Sequence, residues 1–560
     1  MLNRFGGDTP RWRIRDCPGL RRISAQRLPK RLRTQPWGPR SAAYNVNKMR
    51  FSQKPIVILA ASLVLPPVGL LLLWLRRGTS ISRKSLATLA IIVVGVAHLF
   101  LFYGLHMEFT GGIQPVFTFQ GGERHYRQLE AHRAAFQAPA PVASEAPAAA
   151  AAAPAAAPAA VPVKANSVSP AASGSTYWAD FMGPGRLGHY DQMPILTEWP
   201  AGGLAKVWKQ PVGGGYASFT VANGVVFTIE QRRRNEVVAA YDLRTGRERW
   251  THSWPALFEE ILGGNGPRAT PVWDEGRVYA LGAEGELRCL DSATGKLIWN
   301  KNILADNGAA NLRWGMSASP LVVDGKVIVT PGGGHGNSVV AYDKLTGKRV
   351  WGSLDDKAAY ASPTVATVGG RRQLLVMTGQ RAVGVTVDDG RLLWEYPWVT
   401  EQDINAAQPI AVAANRVYLS SGYGHGATVL ELTPQGDGFQ THVAWANTRM
   451  KNKFNSAVLY EGHIYGLDEG ILACVDVASG DLKWKGGRYG YGQLLLASGH
   501  LVVLSEEGDV VLVRAVPDKL QEVARFSALT GKTWNIPAIS DGVLLVRNEV
   551  EMAAFRIAAD

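Results

Sequence analysis

An 11-residue segment that ends at Trp250, AYDLRTGRERW, recurs along the chain and restricts its fold more than any other feature. Further copies, CLDSATGKLIW, AYDKLTGKRVW, TVDDGRLLW and CVDVASGDLKW, end at Trp299, Trp351, Trp394 and Trp484. The gaps between these tryptophans are 49, 52, 43 and 90 residues. Trp445 divides the longest gap as a degenerate copy without the Asp-x-x-Thr-Gly turn, and Phe526 ends one more unit 42 residues after Trp484.

The length of this repeat predicts a β-propeller. Each period contains several short β-rich runs, which suits a four-stranded blade, whereas a helical repeat would space its apolar residues about 3.6 positions apart. Within the unit, the Thr-Gly or Ser-Gly pair supplies a tight turn, and the strand after it carries the tryptophan. The indole can cover the sheet of the neighbouring blade, so successive blades stack in a ring.

We predict an all-β, eight-bladed β-propeller over residues 177–560. The predicted blades are Tyr216–Trp250, Ala269–Trp299, Ser317–Trp351, Tyr360–Trp394, Ala407–Trp445, Asn455–Trp484, Gly492–Phe526 and Asn535–Ile557. The eighth blade lacks an outer strand. Leu204–Lys209 can supply it, because Trp208 stands in the repeat position 42 residues before Trp250. The two ends of the domain would then close the ring.

The positive charge of the chain lies almost entirely at its N-terminus. The net charge is +13, but residues 1–54 contain 14 Lys or Arg against only Asp8 and Asp16, which leaves +1 for the rest. The propeller therefore has no predicted basic patch, and nucleic acid is not an expected partner. The basic N-terminal segment, residues 1–54, has two interpretations: a transit peptide or, as we prefer, a stretch that is not translated upstream of Met49.

Two apolar segments within residues 55–105 predict a transmembrane hairpin. Pro55–Leu75 and Leu86–Leu105 contain no charged residue and are long enough to cross a bilayer. The loop between them is basic, which predicts that it faces the cytoplasm and that the propeller lies in the periplasm, anchored to the bacterial inner membrane. His98 in the second span is interpreted as a packed, neutral histidine rather than a proton or haem ligand.

Residues 106–176 are predicted to be a juxtamembrane segment followed by a linker. Gly121–Gln137 predicts a short helix with Tyr126, Leu129 and Phe136 on one side. Ala138–Val163 consists mainly of Ala and Pro, cannot form a core, and predicts a semi-extended tether.

The repeats resemble the pyrroloquinoline-quinone-type (PQQ-like) propeller repeat over roughly Tyr177–Ile557. That repeat is shared by quinoprotein alcohol dehydrogenases and by the propeller lipoprotein of the outer-membrane β-barrel assembly machine. The segments YWADFMGPGRLGHY, GGNGPRATP, RWGMSASP, KGGRYGYGQLLL and GKTWNIPA look closest to uncharacterised membrane-anchored bacterial members. The resemblance implies the fold, and it implies activity only weakly because one fold supports many functions.

The chain departs from the features that the resemblance implies for an enzyme. Quinoprotein dehydrogenases carry a vicinal disulfide under the cofactor, but the three cysteines here, Cys17, Cys289 and Cys474, are not adjacent. Cys289 and Cys474 occupy equivalent strands of blades two and six, so we expect them to be small buried hydrophobic residues that do not bridge. The sequence also contains no C-x-x-C-H haem motif and no lipobox cysteine like that of the assembly lipoprotein.

Polar and aromatic residues that precede or begin the innermost strands form the candidate binding site. By position they resemble the funnel in which enzymes of the family hold their cofactor. The candidate cofactor-binding residues are Arg268, Arg313, Trp314, Tyr360, Gln408, Asn455, Gln493, Trp534 and Asn535. Two interpretations stay open: polar strand ends that are simply hydrated, and a ligand site built from converging arginines and indoles.

Other conspicuous motifs predict structure rather than chemistry. Gly332–Ser338 and Gly422–Ala427 are glycine-rich, but neither joins a strand to a helix, so they are interpreted as hairpin turns rather than phosphate sites. His335 and His425 within them lack the clustered partners of a metal site. The acidic turns Asp468–Gly470 and Glu506–Gly508 are interpreted as ordinary turn residues.

Two functions follow from these observations. The first is an extracytoplasmic binding or scaffold protein that engages envelope partners, with no resident cofactor, no catalytic residue and no metal. The second is a quinone-dependent alcohol or sugar dehydrogenase, which would need PQQ, a cation and a catalytic carboxylate in the funnel. No convincing carboxylate and calcium-ligand set is found in the sequence, so we expect the chain not to be a competent quinoprotein.

Overall fold

The computed structural model describes residues 54–102, 105–119, 121–137 and 176–559. The basic stretch before Lys54, including Met49, and the predicted tether Ala138–Val163 lie outside the described residues. The chain divides into two compact units, Met1–Val96 and Ala97–Asp560, and each is described by itself.

The first unit contains two short helices and most of a long one. They are α1 (Pro55–Val64), α2 (Pro66–Leu75) and α3 (Ile81–Phe102). The predicted first span is broken at Leu65 (φ −137°, ψ 81°), because the next residue, Pro66, disfavours helical geometry before it. Each half is about 15 Å long, half of a hydrocarbon core of about 30 Å. Among the described helices, α3 alone is long and apolar enough to cross a membrane, so the structure supports one candidate span and does not show the predicted two-helix hairpin.

A hairpin and a helix precede the propeller in the second unit. The hairpin pairs β1 (His106–Phe109) with β2 (Pro115–Thr118) in antiparallel register. The helix, α4 (Gly122–Gln137), coincides with the predicted one. It packs on the propeller through Leu129, which is buried, and through His125, whose Nε2 donates to the Val212 carbonyl at 2.7 Å. Phe136, on the predicted apolar side, remains exposed.

Eight sheets form the propeller, each with four antiparallel strands, and His189–Tyr190 adds a fifth, parallel strand to blade seven. Two strands precede the first blade: β3 (His189–Tyr190) and β4 (Lys206–Pro211). Blades one and two are β5 (Thr220–Ala222), β6 (Val225–Arg232), β7 (Asn235–Asp242), β8 (Glu248–Pro255), and β9 (Val272–Asp274), β10 (Arg277–Leu281), β11 (Glu286–Asp291), β12 (Leu297–Asn302), followed by the helical turn α5 (Ile303–Asp306). Blades three and four are β13 (Leu321–Val323), β14 (Lys326–Val329), β15 (Val339–Asp343), β16 (Arg349–Ser353), and β17 (Thr364–Val368), β18 (Arg371–Met377), β19 (Arg381–Val385), β20 (Leu392–Pro397).

The remaining blades repeat this order. Blades five and six are β21 (Ile410–Ala413), β22 (Arg416–Ser421), β23 (Gly426–Gln435), β24 (Gly438–Asn447), and β25 (Val458–Tyr460), β26 (His463–Asp468), β27 (Ile471–Asp476), β28 (Leu482–Arg488). Blades seven and eight are β29 (Gln493–Ala497), β30 (His500–Leu504), β31 (Asp509–Arg514), β32 (Glu522–Ser527), and β33 (Ala538–Ser540), β34 (Val543–Arg547), β35 (Glu551–Arg556). The predicted eight-bladed fold is confirmed.

The ring closes as predicted, because β4 completes blade eight. It pairs antiparallel with β35, and Trp208 lies opposite Ala554. The N-terminal and C-terminal strands of the domain therefore share one sheet. This pairing covers an edge that would otherwise expose unpaired backbone groups.

The hydrophobic core lies between neighbouring sheets. Between blades six and seven, for example, Tyr465 and Trp484 pack against Leu501 and Val511. Strands such as β30 are buried along their whole length, which explains their continuous apolar sequence. Cys289 and Cys474 are free and buried in equivalent strands, as predicted, and burial raises the pKa of the Cys474 thiol to about 11.

The recurring tryptophan is explained by its contact with the next blade. Trp250 Nε1 donates to the Ser292 carbonyl of blade two at 2.9 Å, and Gly295 of the same turn lies against the indole. Asp291 caps this turn by accepting hydrogen bonds from the Thr294 N–H and hydroxyl. The same indole-to-carbonyl bond joins Trp208 to Leu243, Trp299 to Lys344, Trp351 to Val387, Trp445 to Val477 and Trp484 to Val516.

Blade five explains the degenerate repeat. Its outer strands β23 and β24 form a long hairpin instead of the Asp-x-x-Thr-Gly turn. Trp394 of blade four therefore has no such turn to contact, and its Nε1 donates within its own blade to Gln373 Oε1 at 2.6 Å. The long hairpin reaches back over blade four, where Thr441 Oγ1 donates to the Glu395 carbonyl at 3.2 Å.

We expect the Gly295→Ala variant to lose about 2–4 kcal/mol of unfolding free energy. The loss combines the cost of placing alanine in the left-handed region with the cost of a steric clash in the core. Gly295 has φ 70°, and a methyl group there would lie 2.5 Å from the Trp250 ring. Gly276 has φ 78° with nothing within 4 Å of such a methyl group, so Gly276→Ala should lose only about 1 kcal/mol. Urea unfolding measures both, and equal losses would show that the indole contact does not matter.

Candidate functional site

The loops before the innermost strands meet around one end of the central channel, which we call the mouth. Contacts between side chains connect most of its members in one series, and Trp314 and Tyr360 form a separate pair. The members are Tyr216, Arg268, Trp314, Tyr360, Tyr423, Lys453, Phe454, Tyr491, Glu506, Lys532 and Trp534. These loops are held together by backbone bonds between neighbouring blades, such as the Tyr216 N–H donating to the Pro267 carbonyl at 2.8 Å.

The nine sequence-predicted residues differ in burial. Five lie at the mouth or on its rim with partly or largely exposed side chains, namely Arg268, Arg313, Trp314, Tyr360 and Trp534. The other four, Gln408, Asn455, Gln493 and Asn535, are buried. The structure therefore brings the nine residues around one channel, but not into one pocket.

Arg268 is held by its own loop. Its guanidinium donates to the backbone carbonyls of Gly264 at 2.7 Å and Gly266, and it lies over the rings of Phe258 and Tyr216. Burial lowers the pKa of this guanidinium, and Tyr216 and Glu549 oppose that shift. Arg268 thus braces this loop of the mouth, because both of its terminal nitrogens already donate to backbone carbonyls.

Arg313, Trp314 and Tyr360 form a second group. Arg313 is exposed, lies 4.9 Å from the centre of the Trp314 ring, and donates to Gln402 Oε1 at 3.0 Å. The rings of Trp314 and Tyr360 are 5.9 Å apart. Burial, partly offset by a backbone hydrogen bond at Trp314, raises the pKa of the Tyr360 hydroxyl to about 12, so this hydroxyl is neutral at physiological pH.

Trp534 lies in the most tightly packed part of the mouth. Its ring is 5.3 Å from Tyr216 and 5.0 Å from Phe454, and the Lys532 ammonium is 4.6 Å from its centre. Its Nε1 donates to Glu506 Oε1 at 2.9 Å. A planar ligand stacked on this indole would have to displace one of these neighbours.

Lys453 and Glu506 complete the mouth, and the sequence analysis did not select them. The Lys453 ammonium lies 4.6 Å from the centres of the Tyr423 and Tyr491 rings and 5.2 Å from that of Phe454. Burial lowers the pKa of Lys453, and Glu469 and Glu506 oppose this. The available signal was a Lys-Asn-Lys-Phe sequence just before the predicted first residue of blade six, Asn455.

The acidic residues of the two turns also make side-chain contacts beyond the turns themselves. Glu506, interpreted as a turn residue, accepts hydrogen bonds from the Trp534 indole, from the Tyr491 N–H of the mouth and from the Gly111 N–H of the β1–β2 turn. Asp468, in the other turn, has a buried side chain that pairs with Lys451 and Lys485. The interpretation of both residues as mere turn formers is therefore corrected.

A ladder of hydroxyl groups joins the innermost strands inside the channel. The N–H groups of Ser218, Thr270 and Ser319 donate to the hydroxyls of Thr270, Ser319 and Ser362, each at 2.9 Å. Gln408 occupies the corresponding position in blade five. Its amide nitrogen and oxygen find no hydrogen-bond partner among the described residues, and it lines a cavity of about 120 Å³.

The segment Tyr177–Tyr190, which carried part of the family resemblance, runs along the innermost strands of several blades. Its backbone bonds the inner strands of blades one and two, where the N–H groups of Val221 and Trp273 donate to the carbonyls of Trp178 and Ala179. Arg186 is buried, pairs with Asp180 at 2.7 Å, and donates to the carbonyl of Pro363 at 2.9 Å in blade four. This segment therefore contacts the innermost strands of blades one and two and the entry to that of blade four.

The histidine loops hold no cluster of ligands. His425 packs edge-on against Trp398 at 4.3 Å, and burial lowers its pKa, whereas His335 is exposed. In the part of the chain that the structure describes, no group of three or more His, Cys, Asp or Glu is placed to hold a metal ion. His98 is half-buried on α3.

Comparison with known proteins confirms the PQQ-like repeat resemblance. Residues 233–486 match a family model described as outer membrane protein assembly factor BamB. The chain is 28% identical over 176 residues to the quinohemoprotein alcohol dehydrogenase ADH-IIG of Pseudomonas putida, which covers 29% of this chain and 23% of that enzyme. It is 25% identical over 246 residues to the outer membrane protein assembly factor BamB of Nitrosomonas eutropha, which covers 42% of this chain and 55% of that protein.

Among solved structures, the chain aligns with BamB from Moraxella catarrhalis. It aligns with a TM-score of 0.46 at 15% identity, over 63% of this chain and 97% of that one. The chain spans 23% and 55% of the lengths of the two curated relatives, which differ from each other in activity by name.

Proposed function

We propose that this protein is a membrane-anchored propeller of the bacterial cell envelope that binds or scaffolds other envelope proteins. One observation carries the proposal: the mouth holds a stretch of polypeptide by its backbone, with Lys453 donating to the Gly111 carbonyl and Glu506 accepting from the Gly111 N–H. Paired contacts to a main-chain N–H and C=O are the usual basis of peptide recognition. The similarity to BamB supports the same role.

The proposal places the propeller, residues 177–560, in the periplasm. The helices within residues 55–105 would anchor it in the inner membrane, and residues 106–176 would join the two parts. The basic residues Arg76, Arg77, Arg83 and Lys84 between α2 and α3 support a cytoplasmic position for that loop.

A quinone-dependent dehydrogenase is the alternative that the other relatives suggest. PQQ is planar and carries three carboxylates, so it needs an open aromatic face and free cations. The face of Trp534 is packed against Phe454 and Tyr216, and both terminal nitrogens of Arg268 donate to its own loop. Trp534 and Arg268 as arranged do not fit the cofactor, and the proposal includes no resident quinone.

We expect a photo-reactive residue placed at Arg313 in living cells to form adducts with envelope proteins that carry signal sequences. Arg313 is exposed at the rim of the mouth, so a bound partner would lie within reach of its side chain. The matched control is Leu297, which is exposed on the outer strand β12 and should give no such adducts. Mass spectrometry identifies the adducts.

Some outcomes of this experiment contradict the proposal, and a separate assay of the purified chain tests the alternative. Adducts with cytoplasmic proteins alone would place the propeller on the other side of the membrane. Equal adducts at Leu297 and Arg313, or none at either, would remove the binding role of the mouth. Alcohol-dependent dye reduction by the purified chain, loaded with PQQ and calcium, would favour the enzyme instead.

A further inference from the structure

The β1–β2 hairpin ends in a turn that reaches the mouth of the propeller. The turn runs from Thr110 to Gln114 and is closed by the Ile113 N–H, which donates to the Thr110 carbonyl at 2.8 Å. The Gln114 N–H also donates to Thr110 Oγ1 at 3.1 Å. Gly112 and Ile113 are exposed, whereas Gly111 is buried, so one residue of the turn makes the contact.

Gly111 is bound at both of its backbone polar groups. Its N–H donates to Glu506 Oε1 at 2.6 Å, and its carbonyl accepts from Lys453 Nζ at 2.6 Å. The two charged groups come from loops of blades six and seven, more than 300 residues away in the sequence. Hydrogen bonds to charged groups are the stronger kind, and here they recognise a backbone rather than a side chain.

The mouth selects glycine at this position by close approach. A methyl group on Gly111 would lie 2.2 Å from Cδ2 of Tyr491, and the contacts at Cγ and Cβ are almost as short. A methyl group on Gly112 would meet its nearest atoms, Thr110 Oγ1 and Tyr491 Cε2, only at 3.7 and 3.8 Å. The first glycine therefore lies flat against the tyrosine ring, while the second is not restricted.

The two binding groups are prepared for this contact by the propeller itself. Glu506 also accepts hydrogen bonds from Trp534 Nε1 and from the Tyr491 N–H at 3.2 Å, which fixes its carboxylate. The Lys453 ammonium is surrounded by aromatic rings, and among the described residues it takes part in no ion pair. The site thus consists of a fixed acceptor, a caged cation and a tyrosine face.

We propose that the mouth is a binding site for a glycine-tipped β-turn, and that the chain's own hairpin occupies it until such a turn of an envelope partner displaces it. The inference rests on the proposed binding function and names the chemistry that the partner must present. A tethered turn meets its own site at an effective concentration on the order of 1 mM, so the partner's turn must bind more strongly or be presented by a larger interface.

The test uses the full chain in detergent and two matched variants, Gly111→Ala and Gly112→Ala. The probe is a fluorescent peptide of residues 106–118, cyclised by a disulfide between cysteines added at its ends. We expect the peptide to bind the Gly111→Ala protein about tenfold or more tightly than the wild type or Gly112→Ala, because only the first variant empties the mouth. Hydrogen exchange of residues 109–114 should accelerate in Gly111→Ala alone.

Two further arms identify the binding groups. The reference is the wild-type peptide bound to the Gly111→Ala protein. A peptide that carries Gly111→Ala should bind this protein about tenfold or more weakly, and adding Lys453→Met to the protein should weaken binding of the wild-type peptide to a similar extent. The inference is overturned if the wild type, Gly111→Ala and Gly112→Ala bind the peptide equally. It is also overturned if Gly111→Ala does not bind the peptide while its thermal midpoint stays near that of the wild type. That outcome leaves the adducts at Arg313 unaffected, so it is distinct from failure of the proposed function.

Discussion

Replacing Arg547 with methionine is expected to lower the free energy of unfolding by about 3–5 kcal/mol. Arg547 is fully buried at the end of β34, where blade eight meets blade one. Its guanidinium donates to Thr228 Oγ1 at 2.6 Å and to the Gly213 carbonyl at 2.9 Å. Methionine fills similar space but leaves these acceptors without a donor at the seam that closes the ring.

The loss is increased by a buried carboxylate nearby. Glu230 is also fully buried, and although burial raises its pKa, Arg232 and Arg547 together hold it below the ordinary value. Without Arg547, Glu230 keeps only Arg232 as a charged partner. A buried charge that loses part of its compensation destabilises the folded state more than the lost contact alone.

Arg525→Met is the matched control. Arg525 lies on the outer strand β32, about 40% exposed, and pairs with Glu522 and Asp509 at the surface. Exposed ion pairs contribute about 0–1 kcal/mol, so this variant should be close to the wild type in urea unfolding followed by tryptophan fluorescence. Similar losses in the two variants would show that the buried network does not hold the seam.

The propeller could be predicted because each repeat encodes one physical contact within a short stretch of sequence. The turn from Asp291 to Gly295 and the indole of Trp250 form one contact that every regular blade needs, so the same residues return at the same spacing. The closing strand was predictable for the same reason, since Trp208 keeps the repeat position. Hydropathy alone does not register the break in the first span, but Pro66 and Pro67 indicate a kink there, because a proline disfavours helical geometry in the residue before it.

The binding groups of the mouth were only half predictable. Arg268, Trp314 and Trp534 were found because they precede innermost strands, which must converge in any propeller. Lys453 and Glu506 gain their role only from Gly111, and no local pattern links residues that far apart. The sequence of the hairpin also does not indicate where its turn is placed.

The stability of the propeller is expected to depend on pH through Glu236. This carboxyl is fully buried, and burial, assisted by Glu284 and Glu286 and opposed by a hydrogen bond from the Ala283 N–H at 2.7 Å, raises its pKa from 4.5 to about 7. The folded state therefore keeps the proton up to about pH 7, whereas the unfolded state releases it near pH 4.5. The propeller therefore loses stability through Glu236 as the pH rises from about 4.5 to about 7, because the folded state resists the deprotonation that the unfolded state allows.

The size of the effect follows from the separation of the two pKa values, which corresponds to about 3 kcal/mol. We expect Glu236→Gln, measured against the wild type by urea unfolding at pH 5 and pH 8, to gain up to about 3 kcal/mol in relative stability between the two conditions. Any fixed cost of the new amide cancels in that comparison, as do all other titrating groups.

Glu284→Gln provides the comparison, because Glu284 is exposed and only assists the shift that burial causes at Glu236, so this variant should show a much smaller change between pH 5 and pH 8. If Glu236→Gln differs from the wild type in unfolding free energy by the same amount at pH 5 and pH 8, the Glu236 carboxyl is ionised in the folded state at pH 5. The Arg288 guanidinium, whose pKa is lowered by burial and raised by the charge of Glu236, would then be the group that compensates it. Arg288→Met should in that case restore the pH dependence, because it removes the nearby positive charge and leaves the burial of Glu236 unchanged.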